Sequence, residues 1–412
     1  MKAASAISWI SIAGALASAV GIFYIPAYST LFLVLLLLNL LLPILFRKGY
    51  NKPQLTICRI LVGALFIFSS FTKGVDPLGT KYKILDYLAV YNMQWFNDIA
   101  MLLSMGLILL EFIVGICLLT NIFPRLATLG ATILMLFFTT TTLFDALFDL
   151  VPDCGCFGTA VKMTNWQTFY KNLVIDSILL ALIFNNKRLQ NRLTWRGQIV
   201  IGGLYALIFL LFEVFNYRHL PVVDFMNWKV GKQMVTEPAG ETKIYLTYQN
   251  KETGAKQEFL SPNYPWNDSV WMSQWEFVEQ RSEGGSNFLG FSAQDEDGND
   301  VTEMILTTEN LLMFTSHDLS KVTDEEWDKI KTITETADSK GYYVIWAVSA
   351  MPEEIAELQE KYDFLYEVYY ADELEIKTIV RFNPGLIWLD NGFVKDKWSA
   401  IDFRKALKEL KK

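Results

Sequence analysis

The stretch NDIAMLLSMGLILLEFIVGICLL, residues 97–119, has Asp98 and Glu111 as its only charged residues. A helix needs about 20 mainly apolar residues to cross a bilayer core of about 30 Å. Six further stretches meet this condition, namely 5–25, 28–46, 55–75, 125–147, 167–185 and 198–216. The sequence therefore predicts an α-helical polytopic membrane domain of about seven spans in contact with the lipid bilayer. The first two spans, within residues 1–54, are predicted to form a transmembrane hairpin.

Positive charge in the short loops indicates how the spans are oriented. Seven alternating spans bring the following basic residues to one face: Lys2, then Arg47, Lys48 and Lys52, then Arg125, then Lys187, Arg188, Arg192 and Arg196. Lys73, Lys81 and Lys83 weaken this asymmetry but do not reverse it. By the positive-inside rule the first face is cytoplasmic. We therefore expect a multi-pass inner-membrane protein with a cytoplasmic N-terminus and an exoplasmic or periplasmic C-terminal domain.

Charge also divides the chain into two halves. The 412 residues have a formal net charge of −8 at pH 7, with basic residues in excess before residue 218 and acidic residues in excess after it. A nucleic-acid partner requires a basic surface that replaces the counterions of the phosphate backbone. The acidic soluble half therefore argues against nucleic-acid binding.

Two thiols lie one residue apart in the stretch DLVPDCGCFGTAVKMTNW, residues 149–166. Cys154 and Cys156 have three competing interpretations. As a redox pair they would form a small strained ring, which is easily reduced, with Gly155 letting the backbone bend. Alternatively, they only pin the loop, or they bind a metal with further ligands such as His219. No basic residue nearer than Lys162 is available in the sequence to favour a thiolate.

Four stretches of the membrane half point to a known family. These are RILVGALFIFSSFTKGVDPLGTKYK at 59–83, LLEFIVGICLL at 109–119, DCGCFG at 153–158 and YKNLVID at 170–176. They resemble the DoxX family, and most closely its MauE-like branch. The resemblance covers 55 to about 185, a four-helix core, and residues 55–217 add one further span to it. It implies thiol–disulfide or quinone-associated redox work on exported proteins, with Cys154 and Cys156 as the redox pair.

Ionisable residues inside predicted spans are costly and often functional. Arg59 and Glu111 lie on adjacent antiparallel spans at similar depth, which predicts an ion pair between them. Asp176 could relay protons to a quinone or a thiol, or it could bond a hydroxyl of the run TTTT at 139–142. Lys73 and Glu213 lie near span ends, where we expect their side chains to reach the interface.

The acidic half contains two predicted regions. Residues 218–285 form a membrane-proximal, β-rich connector with a hairpin at 251–254. Residues 286–412 show strands and helices in the order of a thioredoxin-like α/β domain, which NLLMFTSHDLSKV at 310–322 and the Asn383-Pro384-Gly385 turn resemble. Where that superfamily has two cysteines, this chain has Ser316-His317-Asp318-Leu319. The resemblance then implies that this region binds a partner, near His317 and Pro384, rather than exchanging thiols.

Two functions remain open from the sequence. The first is a membrane thiol–disulfide or quinone-linked electron-transfer component that acts on exported proteins through Cys154 and Cys156. The second is a non-enzymatic scaffold or assembly subunit of a larger envelope complex, in which these cysteines only stabilise the loop. Both hypotheses expect an exported or envelope protein as partner.

Overall fold

The structure, a computed structural model, describes residues 50–151, 155–191, 193–235, 243–251, 256–260, 265, 269–283, 291–362 and 366–411, with scattered positions between 10 and 39. The chain divides into two compact units, Met1–Phe225 and Met226–Lys412. The predicted hairpin within residues 1–54 falls almost wholly outside the described residues, as does Cys154.

Six helices make up the described part of the first unit. They are α1 (Lys52–Val75), α2 (Pro77–Val90), α3 (Ala100–Thr120), α4 (Pro124–Phe148), α5 (Asn165–Phe184) and α6 (Trp195–Arg218). Five of them, all except α2, are long and apolar enough to cross a membrane, α3 together with the preceding 3₁₀ turn Gln94–Ile99. The protein is therefore a multi-pass membrane protein. Helix α2 lies within the loop predicted at 76–96.

Local sequence fixes where these helices begin. Asn51 caps α1 by accepting a hydrogen bond from the Gln54 amide, while the Gln54 side chain accepts one from the Asn51 amide. Thr164 and Gln167 make the same reciprocal pair at the start of α5. Such capping boxes satisfy amide groups that have no partner within the helix.

The bundle core lies where α1 crosses α3. A Cβ atom placed on Gly63 would lie 2.8 Å from the Gly115 carbonyl oxygen, so the two backbones meet without intervening side chains. Small residues allow such close approach between membrane helices. Cys58 and Cys117 are buried in this core, where they pack as small apolar residues.

At each end of the bundle, polar contacts hold the connecting loops together. At one end the Asn121 side chain bonds the Gln190 carbonyl, and the Phe123 amide bonds Gln198. At the other, which we call the loop end, the segment 76–99 meets residues 155–164. There Tyr87 of α2 donates to Asp145 of α4 at 2.6 Å. Since α6 begins at the first end, its C-terminal residues lie toward the loop end.

The second unit begins with a three-stranded antiparallel sheet of order β2-β1-β3. Its strands are β1 (Lys243–Asn250), β2 (Lys256–Leu260) and β3 (Trp275–Glu283), with the short helix α7 (Ser269–Gln274) before β3. Strands β1 and β2 pair as the predicted hairpin requires. The turn residues 252–254 lie outside the described residues.

A six-stranded sheet of order β4-β7-β6-β5-β8-β9 forms the rest of this unit. Its elements in chain order are β4 (Ala293–Gln294), α8 (Thr302–Thr307), β5 (Leu311–Ser316), α9 (Asp324–Asp338), β6 (Tyr343–Val348), α10 (Pro352–Tyr362), β7 (Glu367–Ala371), α11 (Glu373–Ile379), β8 (Gly385–Asp390), β9 (Phe393–Ser399) and α12 (Phe403–Leu410). Strands β5, β6 and β7 are parallel, and β8 and β9 are antiparallel. The α/β class is thus confirmed, although β7 and α11 are additions that the sequence did not predict.

Candidate functional site

Residues 155–158 of the Cys-Gly-Cys-Phe-Gly loop are held against the end of α1. Of its two cysteines the described residues include Cys156, which is half-buried. The Ser69 hydroxyl of α1 lies 2.8 Å from the Cys156 carbonyl oxygen, which accepts a hydrogen bond from it. This contact fixes the backbone of the loop at the residue that carries the thiol.

Two glycines allow the loop to turn tightly. Gly155 and Gly158 have φ angles of +61° and +54°, in the left-handed region that favours glycine. The Gly158 amide donates to the Gly155 carbonyl at 2.9 Å. A Cβ atom on Gly158 would also lie 3.2 Å from the Thr72 carbonyl oxygen of α1. Glycine at 158 therefore serves both the turn and the close approach to α1.

Phe157 anchors the loop in the bundle. Its side chain is buried, and its ring centroid lies 5.3 Å from that of Phe68 on α1. The Lys171 ammonium of α5 lies 4.5 Å from the Phe157 ring centroid, within cation–π range. The loop is thus clamped between α1 and α5, and a positive charge lies next to it.

A second lysine lies beside the residue between the cysteines. A Cβ atom on Gly155 would be 3.1 Å from Lys83 Cγ of α2. The Lys83 ammonium forms a salt bridge of 3.6 Å with Asp86. In the sequence the nearest basic residue is Lys162, whereas folding brings Lys83 and Lys171 to the loop. Nearby ammonium groups favour the thiolate form of a cysteine.

Beneath the loop lies a buried ion pair that joins α1 to α3. Lys73 Nζ lies 2.6 Å from Glu111 Oε1, and the two side chains are only 8% and 1% exposed. Ser69, one helical turn before Lys73, donates to Glu111 Oε2 at 2.9 Å. Ser69 therefore links the loop carbonyl to the buried pair. Residues four apart on a helix share a face, which is the signal in the sequence for this Ser69–Lys73 arrangement.

The predicted Arg59–Glu111 ion pair is wrong. Arg59 instead donates to the carbonyl oxygens of Leu118 and Leu119 at the end of α3, the latter at 3.0 Å. These carbonyls belong to the last turn of α3, where the regular helical hydrogen bonds end. Arg59 thus donates hydrogen bonds to carbonyl groups at the end of α3, and Lys73 is the ion-pair partner of the Glu111 carboxylate.

The expected interfacial position of Lys73 and Glu213 is also wrong, since both are buried within the unit. Asp176 accepts a hydrogen bond of 2.8 Å from Thr139, one of the hydroxyls predicted as its partner. His219 follows the end of α6, and its ring centroid lies 4.8 Å from that of Phe215.

In the second unit, the structure brings His317 and the Asn383-Pro384 turn together. The Asn383 side-chain oxygen accepts hydrogen bonds from the Ser316 hydroxyl at 2.8 Å and the His317 amide at 2.9 Å. Its nitrogen donates to the Asp318 carbonyl at 2.6 Å. The Asn383–Pro384 peptide bond is cis. Asn383, which the sequence did not single out, therefore holds the segment after β5.

The His317 imidazole is neutral at physiological pH. Burial and, to a smaller extent, the nearby Lys377 ammonium lower its pKa to about 4. Its Nδ1 atom is buried and finds no hydrogen-bond partner among the described residues. The segment therefore presents an uncharged, polar side chain where the superfamily that it resembles carries cysteine.

Two known proteins or families are similar to parts of this chain. The family described as "Methylamine utilisation protein MauE" matches residues 51–185. The protein named "Protein TlpB" from Flavobacterium psychrophilum is 30% identical over 157 residues, which are 37% of this chain and 42% of that protein. The chain therefore spans less than half the length of this curated relative. No solved structure matches. Residues 51–185, helices α1 to α5 with the Cys-Gly-Cys-Phe-Gly loop, are thus similar to the MauE family.

Proposed function

We propose that this protein is a membrane thiol–disulfide component in which Cys154 and Cys156 exchange electrons with an exported protein. The observation that carries the proposal is the position of the loop. Three of its residues, Gly155, Cys156 and Phe157, are held by α2, α1 and α5 in turn. A loop that only connects two helices does not require two lysines from other helices beside it.

The loop has the environment that thiol chemistry requires. The attacking species in thiol–disulfide exchange is the thiolate, and positive groups nearby increase its population. Lys83 beside Gly155 and Lys171 beside Phe157 supply this charge. Cys156 is half-buried, so a partner thiol can still reach it.

Electrons from the loop require an acceptor, for which we propose a quinone dissolved in the bilayer. Reduction of an exported disulfide would use the same pair in the opposite direction. In both cases the second unit has a recruiting role, since residues 157–412 contain no cysteine. We propose that the segment around His317 and Pro384, held by Asn383, contacts the partner protein.

The orientation belongs to the same proposal. Disulfides persist outside the cytoplasm and are rare inside it. We propose that the loop end of the bundle faces the exoplasmic or periplasmic side of the inner membrane. The Cys-Gly-Cys pair and the second unit would then meet exported proteins.

The test is the redox state of Cys154 and Cys156 in native membranes, measured by differential alkylation and mass spectrometry. A redox pair changes state reversibly when membranes receive a dithiol reductant and then a quinone. A Cys154→Ser variant should accumulate a mixed disulfide between Cys156 and the exported partner. Cys156→Ser is the matched variant, and Cys58→Ser, in the bundle core, is the control that should trap nothing.

The alternative is the scaffold role, in which the two cysteines have no redox cycle. Thiols that stay in one state under both treatments, with no trapped partner, would remove the electron-transfer proposal. The loop would then be a structural staple, and function would lie in what the acidic unit binds.

A further inference from the structure

Glu213 of α6 is a carboxylic side chain for which the bundle provides no polar contact. It is 0% exposed, and neither of its oxygens has a hydrogen-bond partner among the described residues. Its surroundings are apolar: a Cβ atom on Gly74 would lie 3.6 Å from Glu213 Cγ, and close to the rings of Phe209 and Phe212. A polar group buried without partners costs several kcal/mol, so its presence needs a reason.

The charge around Glu213 favours the carboxylic acid form. An isolated carboxylate in an apolar interior is far more costly than a neutral acid. The ionisable residues on the elements packed against α6 and on α6 itself are Lys52, Cys58, Arg59, Lys73, Lys81, Tyr82, Lys83, Asp86, Tyr87, Glu111, Cys117, Arg196, Tyr205, Tyr217 and Arg218. Within the described part of the chain, none of them makes a salt bridge or hydrogen bond with Glu213. Lys73, the basic residue of α1 next to Gly74, forms its salt bridge with Glu111.

The position of Glu213 relates it to the loop. Gly74, on which a Cβ atom would lie 3.6 Å from Glu213 Cγ, follows Lys73 directly in α1. Lys73 bonds Glu111, Glu111 accepts from Ser69, and Ser69 also reaches the Cys156 carbonyl. A series of polar groups thus leads from the loop backbone into the bundle as far as Lys73, the residue before Gly74. Phe209 and Phe212 of α6 take part in two ring pairs, Phe112 with Phe209 at 3.9 Å between centroids and Phe71 with Phe212 at 5.6 Å.

We propose that Glu213 is the proton-exchange site of the membrane bundle, serving the electron transfer proposed above, on which this inference rests. Oxidation of the two thiols breaks two S–H bonds, forms one S–S bond, and releases two electrons and two protons. The electrons pass to a quinone, whose two carbonyl oxygens become hydroxyls by taking up two protons. Glu213 gives its proton to one of these oxygens and afterwards takes up a proton from water. The other quinone proton also comes from water, to which both thiol protons are lost.

The experiment compares wild-type protein with the Glu213→Gln variant in native membranes. Glutamine keeps the size of the neutral acid but has no acidic proton to give. We expect quinone-driven reoxidation of the reduced loop to slow about a hundredfold, the usual contribution of a positioned proton donor. The alkylation rate of the reduced thiols should not change. Infrared spectroscopy should show a protonated-carboxyl band in wild type that is absent from E213Q.

Two further variants separate this role from a structural one. Glu213→Leu removes an unpartnered polar group, so it should raise the thermal midpoint while it slows reoxidation as much as E213Q does. Glu357→Gln, an exposed position in the second unit, should change neither quantity. If quinone reoxidises the wild-type loop and E213Q is reoxidised at the same rate, the role of Glu213 is overturned but the proposed function is not. The same holds if the wild-type protein shows no protonated-carboxyl band. A wild-type loop that quinone cannot oxidise overturns the proposed function and this inference together.

Discussion

Lys83 is the residue on which we base a prediction about the reactivity of the loop. Its alkyl chain lies against Gly155, and its ammonium is partly balanced by Asp86 at 3.6 Å. Replacing Lys83 with Met keeps the apolar contact and removes the charge. An ammonium near a partly exposed thiolate contributes about 1 kcal/mol, a factor of about five. We therefore expect Lys83→Met to slow alkylation of Cys156 by about that factor, measured with iodoacetamide at pH 7 in a Cys154→Ser background.

Asp86 provides the matched control for this prediction. Asp86→Asn removes the carboxylate that competes for the Lys83 ammonium, so alkylation should become faster. Lys340→Met, an exposed position in the second unit, should have no effect. If K83M and wild type react at the same rate, Lys83 supports the loop only by packing.

The buried Lys73–Glu111 pair predicts a large effect on stability. Lys73→Met leaves the Glu111 carboxylate inside the bundle with only the Ser69 hydroxyl as a partner. Removing one partner of a buried pair costs about 3–5 kcal/mol, because the remaining charge is uncompensated. We expect K73M to lower the thermal midpoint in detergent strongly, and E111Q to lower it less, since Gln can still bond Ser69.

The double variant K73M/E111L tests this explanation. Replacing both charges by apolar groups removes the uncompensated carboxylate, so most of the stability lost in K73M should return. Additive losses in the double variant would show that the two side chains act independently.

Residue pairing was the part of the site that the sequence predicted least well. Apolar length identified the spans that contain Arg59, Lys73 and Glu111, but it could not fix their relative depth or the reach of their side chains. The Asp176–Thr139 bond was anticipated, because a buried carboxyl needs a donor and α4 offers a run of hydroxyls. Lys83 and Lys171 were missed, since their approach to the loop depends on how α2 and α5 pack.

Among the elements, the crossing of α1 and α3 depends on two glycines. A Cβ atom on Gly63 would meet the Gly115 carbonyl oxygen at 2.8 Å and the Leu119 amide nitrogen at the same distance. Backbone atoms cannot move aside as a side chain can, so Gly63→Ala must separate the helices. We expect a loss of about 1–3 kcal/mol in unfolding free energy, typical of overpacking, measured by thermal or denaturant unfolding in detergent.

Gly106, on the same helix as Gly115, is the matched control. A Cβ atom there meets nothing within 4 Å. Gly106→Ala should therefore leave stability unchanged or raise it by up to about 1 kcal/mol through helix propensity. Equal destabilisation by both substitutions would contradict the close crossing as the cause.

Long, regular elements were predicted well and short ones poorly. Five of the seven predicted spans correspond to described helices, because a continuous apolar run has one plausible structure in a bilayer. Helix α2 was read as a loop, since it is short and carries lysines, tyrosines and an aspartate. Strand β7 and helix α11 were missed for a similar reason. They have only five and seven residues, too few for a clear hydrophobic period.

At the scale of the whole molecule, His317 makes stability depend on pH. Its pKa is lowered to about 4 in the folded protein by burial and by Lys377, against 6.5 in the unfolded chain. Between these values the unfolded state binds more protons, so stability is full above 6.5 and falls as pH drops toward 4. The loss at low pH is at most about 3–4 kcal/mol, since each unit of pKa difference corresponds to about 1.4 kcal/mol. Thermal unfolding of the full chain at pH 7.5 and pH 5 should show it.

The His317→Asn variant isolates this contribution from other titrating groups. Asparagine does not titrate, so the decrease in midpoint between pH 7.5 and pH 5 should be smaller in H317N than in wild type. The two decreases would be equal if His317 were accessible to water in the folded state.

The orientation of the whole protein decides whether the loop can act on exported proteins. Five spans between residues 50 and 218 place the loop at 149–164 and the chain after α6 on the same side. We expect Lys162→Cys and Ser320→Cys, each in a Cys154→Ser/Cys156→Ser background, to react with a membrane-impermeant maleimide in intact cells whose outer barrier has been opened. Lys187→Cys, at the opposite end of the bundle, should react only after the membrane is permeabilised. The reverse pattern would put the thiols in the reducing cytoplasm, where a disulfide cycle with exported proteins cannot operate. The labelling result therefore bears on every redox prediction made from the loop, and it needs no knowledge of the partner.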